Sequence, residues 1–130
     1  MKNKLIVETA LRAVITEPND CHDQTIAQYF SPDYRQVADG NELNYDDFVK
    51  HIKRLHQVLQ YATITVVAIV EEQETVFTHH HVFASKHDGT RIHTQVFAQF
   101  TLKHGKIVQC DELTRLIVGD QQDHDLGYRR

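Results

Sequence analysis

Thr75-Val-Phe-Thr-His-His-His-Val-Phe-Ala-Ser85, Ile92-His-Thr-Gln-Val-Phe-Ala-Gln-Phe-Thr-Leu102 and Ile107-Val-Gln-Cys-Asp-Glu-Leu-Thr-Arg-Leu-Ile-Val118 decide the fold. Each run is rich in β-branched and aromatic residues. The turn signals His87-Asp88-Gly89 and His104-Gly105 separate them, so they read as three strands. Thr63–Val70, ahead of Gln73-Glu74, reads as a fourth, and tight turns make the set an antiparallel meander. Asp88-Gly89 and His104-Gly105 each fit a three-residue hairpin with glycine in the left-handed position. In that register the even-numbered residues share a face: Val76, Thr78, His80, Val82 and Ala84, then Ile92, Thr94, Val96, Ala98, Phe100 and Leu102. Val108, Cys110, Glu112, Thr114 and Leu116 complete it. A two-residue loop would instead set Glu112 opposite Phe97 and match apolar residues poorly.

Working outward, the first half reads as helices. Leu5, Val7, Leu11, Val14 and Ile15 recur near helical spacing until Pro18-Asn19-Asp20. Asp20 can cap a second helix carrying Ile26, Tyr29 and Phe30, which stops at Ser31-Pro32. Tyr34–Ala38 reads as extended, and Asp39-Gly40-Asn41 as a turn. Asn44 with Asp47 opens a third helix whose stripe is Phe48, Ile52, Leu55 and Leu59. Helices followed by strands is the α+β order. Residues 1–118 read as one domain, with 119–130 a polar C-terminal tail on the surface.

The 130 residues suit one domain with a full core. A net charge of −4 gives no footprint for nucleic acid, and no basic run suggests an anionic membrane. No apolar run is long enough to span a bilayer, and no secretory leader is visible. With two cysteines, Cys21 and Cys110, outside any metal-type spacing, the expected location is the reducing cytoplasm. Ten histidines would carry the net charge from −4 to +6 if all were protonated.

Tyr29-Phe30-Ser31-Pro32-Asp33-Tyr34-Arg35-Gln36, Asp39-Gly40, and a helix beginning Tyr45-Asp46-Asp47-Phe48 together resemble the SnoaL-like branch of the nuclear transport factor 2-like superfamily. So does the late pattern from Val96-Phe97 through Gly105-Lys106-Ile107-Val108 to Asp111-Glu112-Leu113-Thr114. The resemblance spans roughly residues 3–118 and lies in the order of the pieces. It implies a cone-shaped α+β fold, with a curved antiparallel sheet around a long helix, an apolar pocket inside, and often a dimer through the outer sheet face. Members include polyketide cyclases, steroid isomerases, dehydratases, epoxide hydrolases and non-catalytic binding domains, so fold leaves function open. Many relatives carry tryptophan where Cys110 sits here. No catalytic acid or base of a characterised relative is carried over to this chain.

Glu112 is the most informative residue, a carboxylate on an otherwise apolar face. Desolvation there raises its pKa and makes it a proton donor or acceptor near neutral pH. Alternatively it stands at the sheet end or pairs with Arg91 or Arg115. His80, Thr78 and Thr94 share its face and can orient a ligand or relay a proton, or simply satisfy one another in the core. Tyr34 and Gln36, on the segment that lines the pocket mouth in similar proteins, can polarise a ligand carbonyl or tie the loop to the sheet. Cys110 forms part of the pocket wall or is a small core residue.

The opposite face presents Phe77, His79, His81, Phe83, His93 and Phe97. Three histidines there suggest zinc, but His93 faces Phe83 and lies only diagonal to His81, so a homodimer face is preferred and no metal or cofactor is expected. Such a dimer should weaken between pH 7 and pH 5.5 as the histidines charge. The expected function is a pocket for a small apolar, ring-containing or carbonyl-bearing ligand, with isomerase, cyclase or dehydratase chemistry. Glu112 and His80 are the candidate catalytic residues, and Tyr34, Gln36, Thr78, Thr94 and Cys110 the ligand-binding ones. The alternative is a non-catalytic small-molecule-binding or dimerisation module.

Overall fold

A computed structural model describes residues 2–16 and 22–130. The expected helix stop at Pro18-Asn19-Asp20, the Asp20 cap and Cys21 lie outside these residues. Helix α1 (Asn3–Leu11) continues into a π-helical turn (Arg12–Thr16). Helix α2 (His22–Tyr29) leads directly into strand β1 (Phe30–Ala38), so the helix ends just ahead of Ser31-Pro32. Strand β2 (Asn41–Leu43) follows across Asp39-Gly40, where φ of 51° and 83° gives the left-handed turn that suits a two-residue hairpin. Helix α3 (Tyr45–Val58) starts at a capping box in which Asp47 N donates to Asn44 Oδ1 at 2.8 Å and Asn44 N to Asp47 Oδ2 at 3.3 Å.

Four long strands complete the fold: β3 (Leu59–Glu72), β4 (Thr75–Lys86), β5 (Arg91–Lys103) and β6 (Lys106–Val118). Helices followed by a curved six-strand sheet make an α+β fold, as the order of helical and strand patterns along the sequence predicts. Three expectations need correction. The sheet runs β2-β1-β6-β5-β4-β3, so the meander is extended by two strands, and β1 lies parallel to β6. Leu59 opens β3 rather than closing the α3 stripe, because its backbone is already extended. The tail is not confined to the surface, since Asp123 and Leu126 are buried.

Hairpin register has a more instructive outcome. The β4–β5 loop is the expected three-residue one, with Gly89 at φ 89° and Lys86 N donating to Thr90 O at 2.8 Å. The β5–β6 loop is a two-residue one instead, for Lys103 faces Lys106 and both His104 and Gly105 have positive φ. Continued unchanged, that pairing would have put Glu112 opposite Phe97. A bulge intervenes: Leu102 pairs with Ile107 but Thr101 with Gln109, leaving Val108 as the extra residue. Glu112 therefore faces Ala98, and the even-numbered face holds from Cys110 onward. Below the bulge the faces swap, and Ile107 is buried in place of Val108.

The core lies between the helices and the inner sheet face. Val7, Ala10, Ile26, Phe48 and Ile52 pack against Val76, Val96, Ala98, Phe100 and Leu102. Phe30, Tyr34 and Phe48 form a ring trio with all three centroid separations at 4.8 Å.

Candidate functional site

The inner face does not fill completely. A cavity of about 110 Å³ remains between α1, its π-helical continuation, α3 and the sheet, and the C-terminal segment contributes Leu126 and Gly127 to its wall. Most of the lining is apolar. Six of the seven expected site residues line it: Tyr34, Gln36, His80, Thr94, Cys110 and Glu112. Thr78 does not; it stands behind His80, with Oγ1 3.0 Å from His80 Nδ1, and holds that ring in place.

Parallel pairing of β1 with β6 builds the polar corner. Gln36 sits beside Cys110 and Ala38 beside Glu112. Alternation on β1 then brings Tyr34 and Gln36 to the cavity, where the Tyr34 hydroxyl donates to Gln36 Oε1 at 2.7 Å. The Cys110 thiol lies within hydrogen-bonding reach of the Tyr34 oxygen, and burial pushes the pKa of both groups up, so both stay protonated. Beyond them, the opposing residues of Glu112 on both neighbouring strands are alanines, Ala98 and Ala38, which leave room over its carboxyl.

Glu112 retains some accessible surface because it borders the cavity, yet protein surrounds it. Burial, and then the Asp39 and Asp111 carboxylates, push its pKa up to about 8. Arg91 and Arg115 are not among the groups acting on it. Asp39 is fixed beside it by the sheet itself: its Oδ1 accepts from Thr114 N at 2.8 Å, while its N donates to Glu112 O at 3.0 Å.

Two histidines complete the wall. His80 is held at about 4 by burial and by its neighbours His79 and His81, so it is neutral at pH 7. It stands on β4, two strands across and two residues along from Glu112, and so roughly 12 Å away over the sheet. No contact joins the two, and a direct proton relay is not built. His51 was not foreseen. It is buried on α3, its Nδ1–H donates to Arg129 O at 2.6 Å, and burial lowers its pKa to about 4. With Nδ1 committed as donor, Nε2 carries the free lone pair. The signal was present, since His51 follows Phe48 by three and precedes Leu55 by four, on the apolar stripe.

Thr114 was placed on the inner face but given no role. Its Oγ1 is buried without a hydrogen-bonding partner among the described residues. The tail is held above by Asp123, which receives Lys86 Nζ at 3.3 Å and Arg129 at 3.6 Å, and by a long 3.5 Å contact from Gln36 Nε2 to Gly127 O.

On the outer face the histidines satisfy one another rather than converge. His81 Nδ1 lies 2.7 Å from His93 Nε2, and His79 Nε2 lies 2.8 Å from Gln95 Nε2. The diagonal placement of His93 is confirmed by its pairing with Phe83, although the diagonal still brings the rings together. Among the described residues no group of three metal-ligating side chains gathers, there or elsewhere. No helix among them is long and apolar enough to cross a membrane.

Comparison with known proteins places this geometry in a lineage. An uncharacterised protein of Schizosaccharomyces pombe is 36% identical over 104 residues, covering 80% of each chain. IdmH of Streptomyces antibioticus, a candidate polyketide cyclase, superposes with a TM-score of 0.74 at 14% identity, over 88% of this chain and 92% of its own. An LEH-like epoxide hydrolase of M. tuberculosis superposes with a TM-score of 0.72 at 16% identity, over 97% of this chain and 88% of its own. At such identities the two structures speak for the fold alone. Residues 11–110 match the SnoaL-like domain, and on that match and the yeast relative the chain belongs to the SnoaL-like family.

Proposed function

We propose that the cavity binds a small, largely apolar ring ligand bearing a carbonyl, and that Glu112 is the acid of a cofactor-independent isomerisation, cyclisation or dehydration. The observation that supports this is a carboxyl with no salt-bridge partner among the described residues, in the wall of an apolar cavity that neutral histidines also line. Below about pH 8 the protonated carboxyl donates to a ligand oxygen, and above about pH 4 the histidines are free to accept a proton. Two groups driven apart in this way are both in their working forms across the same window. Tyr34 and Gln36 orient the ligand, and His80 is the first candidate for the accepting base. A homodimer through the outer sheet face belongs to the same reading, supported by exposed Phe77, Phe83 and Phe97.

Deuterium exchange at the α-carbons of cyclohexanone tests the chemistry. The protein should accelerate exchange across a plateau that ends near pH 8, with about a tenfold fall from pH 7 to pH 9. Glu112→Gln should remove about 100-fold or more of the acceleration. No acceleration, together with a Glu112 carboxyl titrating near ~4.3, would leave a binding or dimerisation module.

A further inference from the structure

The Thr114 hydroxyl is a buried donor with no partner among the described residues, and its residue lines the cavity. A hydroxyl enclosed without a partner is costly, so a ligand oxygen placed there gains more than it would in water. Thr114 is two residues beyond Glu112 on the same face of β6, about 6.7 Å along the strand. That is the scale of the separation between two oxygens on opposite sides of a six-membered ring. Val96, its neighbour on β5, offers only methyl groups. Above it Gly127 lacks a side chain: a Cβ there would lie 3.4 Å from Thr114 Oγ1 and 3.8 Å from its Cβ.

Two further features restrict what fits. A cavity of about 110 Å³ is smaller than the roughly 150 Å³ that accommodates benzene elsewhere, so a single ring enters only if the wall gives slightly, and anything larger than one ring is excluded. Among the described residues no lysine or arginine lines it, and the histidines that do are neutral at pH 7, so an anionic ligand would find no counter-charge among them.

Resting on the proposed function, we infer that Thr114 is a specificity-determining donor, which receives the second oxygen of an uncharged one-ring ligand whose first oxygen meets Glu112. Gly127 leaves a space beside that hydroxyl which a methyl group would fill. The ligand class is thus a cyclic dione or hydroxyketone rather than a simple ketone.

NMR titration of the full chain with cyclohexanone and with 1,4-cyclohexanedione tests this. The wild type should bind the dione about five- to tenfold more tightly than the ketone, the worth of one good hydrogen bond. Thr114→Val should erase that preference, and Thr114→Ser should keep it. Equal affinity for both probes in the wild type, with cyclohexanone still dependent on Glu112, would overturn the role of Thr114 and leave the functional reading standing. Loss of the preference in Thr114→Ser as much as in Thr114→Val would also overturn it. Binding of neither probe would overturn both.

Discussion

His79, His80 and His81 are consecutive and chemically identical, yet they live on two sides of one sheet. His80 faces inward, is 2% exposed, and is held neutral with its pKa near 4. His79 and His81 face outward, stacked on Phe97 at 4.3 Å and Phe83 at 6.1 Å, with Gln95 and His93 as polar partners. Alternation along a strand is the whole cause of the difference. The inner face is a low-dielectric wall where charge is expensive. On the outer face apolar rings remain exposed and water is close.

The sharpest test of that contrast is the pH dependence of stability. Glu112 has a folded pKa of about 8, raised above its ordinary value of 4.5. Its contribution is intact below pH 4.5 and is lost as pH rises through 8, because the unfolded chain ionises first. Glu112→Gln should therefore match the wild type near pH 5 and exceed it near pH 9 by on the order of 4 kcal/mol in urea denaturation. Equal curves at both pH values would mean that the carboxyl meets water.

The histidine triplet offers the mirror-image experiment. His80 has a folded pKa depressed to about 4, so its stability is present above pH 6.5 and lost as pH falls toward 4. His80→Gln should flatten the acid limb by about 2 to 3 kcal/mol, measured as the difference between denaturation at pH 7 and pH 4.5. His79→Gln, one residue away, should change that limb much less, because it removes only a neighbour that acts on His80 and leaves the buried ring in place. If both variants behaved alike, the inner and outer faces would not differ in the way the register dictates.

How much of this was legible in the sequence depends on the range of the interaction. Alternation is local, and it placed His80, Thr94, Cys110 and Glu112 on one face without any structure. The β5–β6 loop length was misread, and the face survived because the Val108 bulge restored the pairing that two-residue loop had shifted. Apolar matching was the better guide there, since burial acts over the whole strand and a turn over two residues. The β1–β6 parallel pairing was not legible. Roughly seventy residues separate Gln36 from Cys110, and nothing in either segment names the other. The tail was misread for a similar reason: Asp123 is polar in sequence and buried only because Lys86 and Arg129 reach it.

The tail gives the next test in size. Asp123 is 1% exposed while its two cationic partners keep contact with water. Removing the carboxylate frees those cations to solvate rather than strand in the interior, so Asp123→Ala should cost about 2 kcal/mol rather than the larger value of a fully buried pair. The segment carrying Leu126 and Gly127 would then loosen, and ketone association should speed up. A destabilised variant with unchanged association would separate the strap from access to the cavity.

The smallest effect belongs to the outer face. A nitrogen–nitrogen contact of 2.7 Å between His81 and His93 needs a proton on one ring only, so charging both breaks it. Desolvation, then His81, lowers the pKa of His93. Covering the face with a second copy would raise the cost of charge there, so the proposed dimer should weaken by about three- to tenfold between pH 7 and pH 5.5. Sedimentation equilibrium would read this as a shift toward the 15.1 kDa protomer. Phe97→Lys puts a permanent charge into the same patch and should give a monomer at both pH values. Because Phe97 points away from the cavity, Glu112 should still titrate near 8 in that monomer. A displaced Glu112 titration would mean that the two faces are coupled through the sheet, which is the one result that alternation alone does not allow.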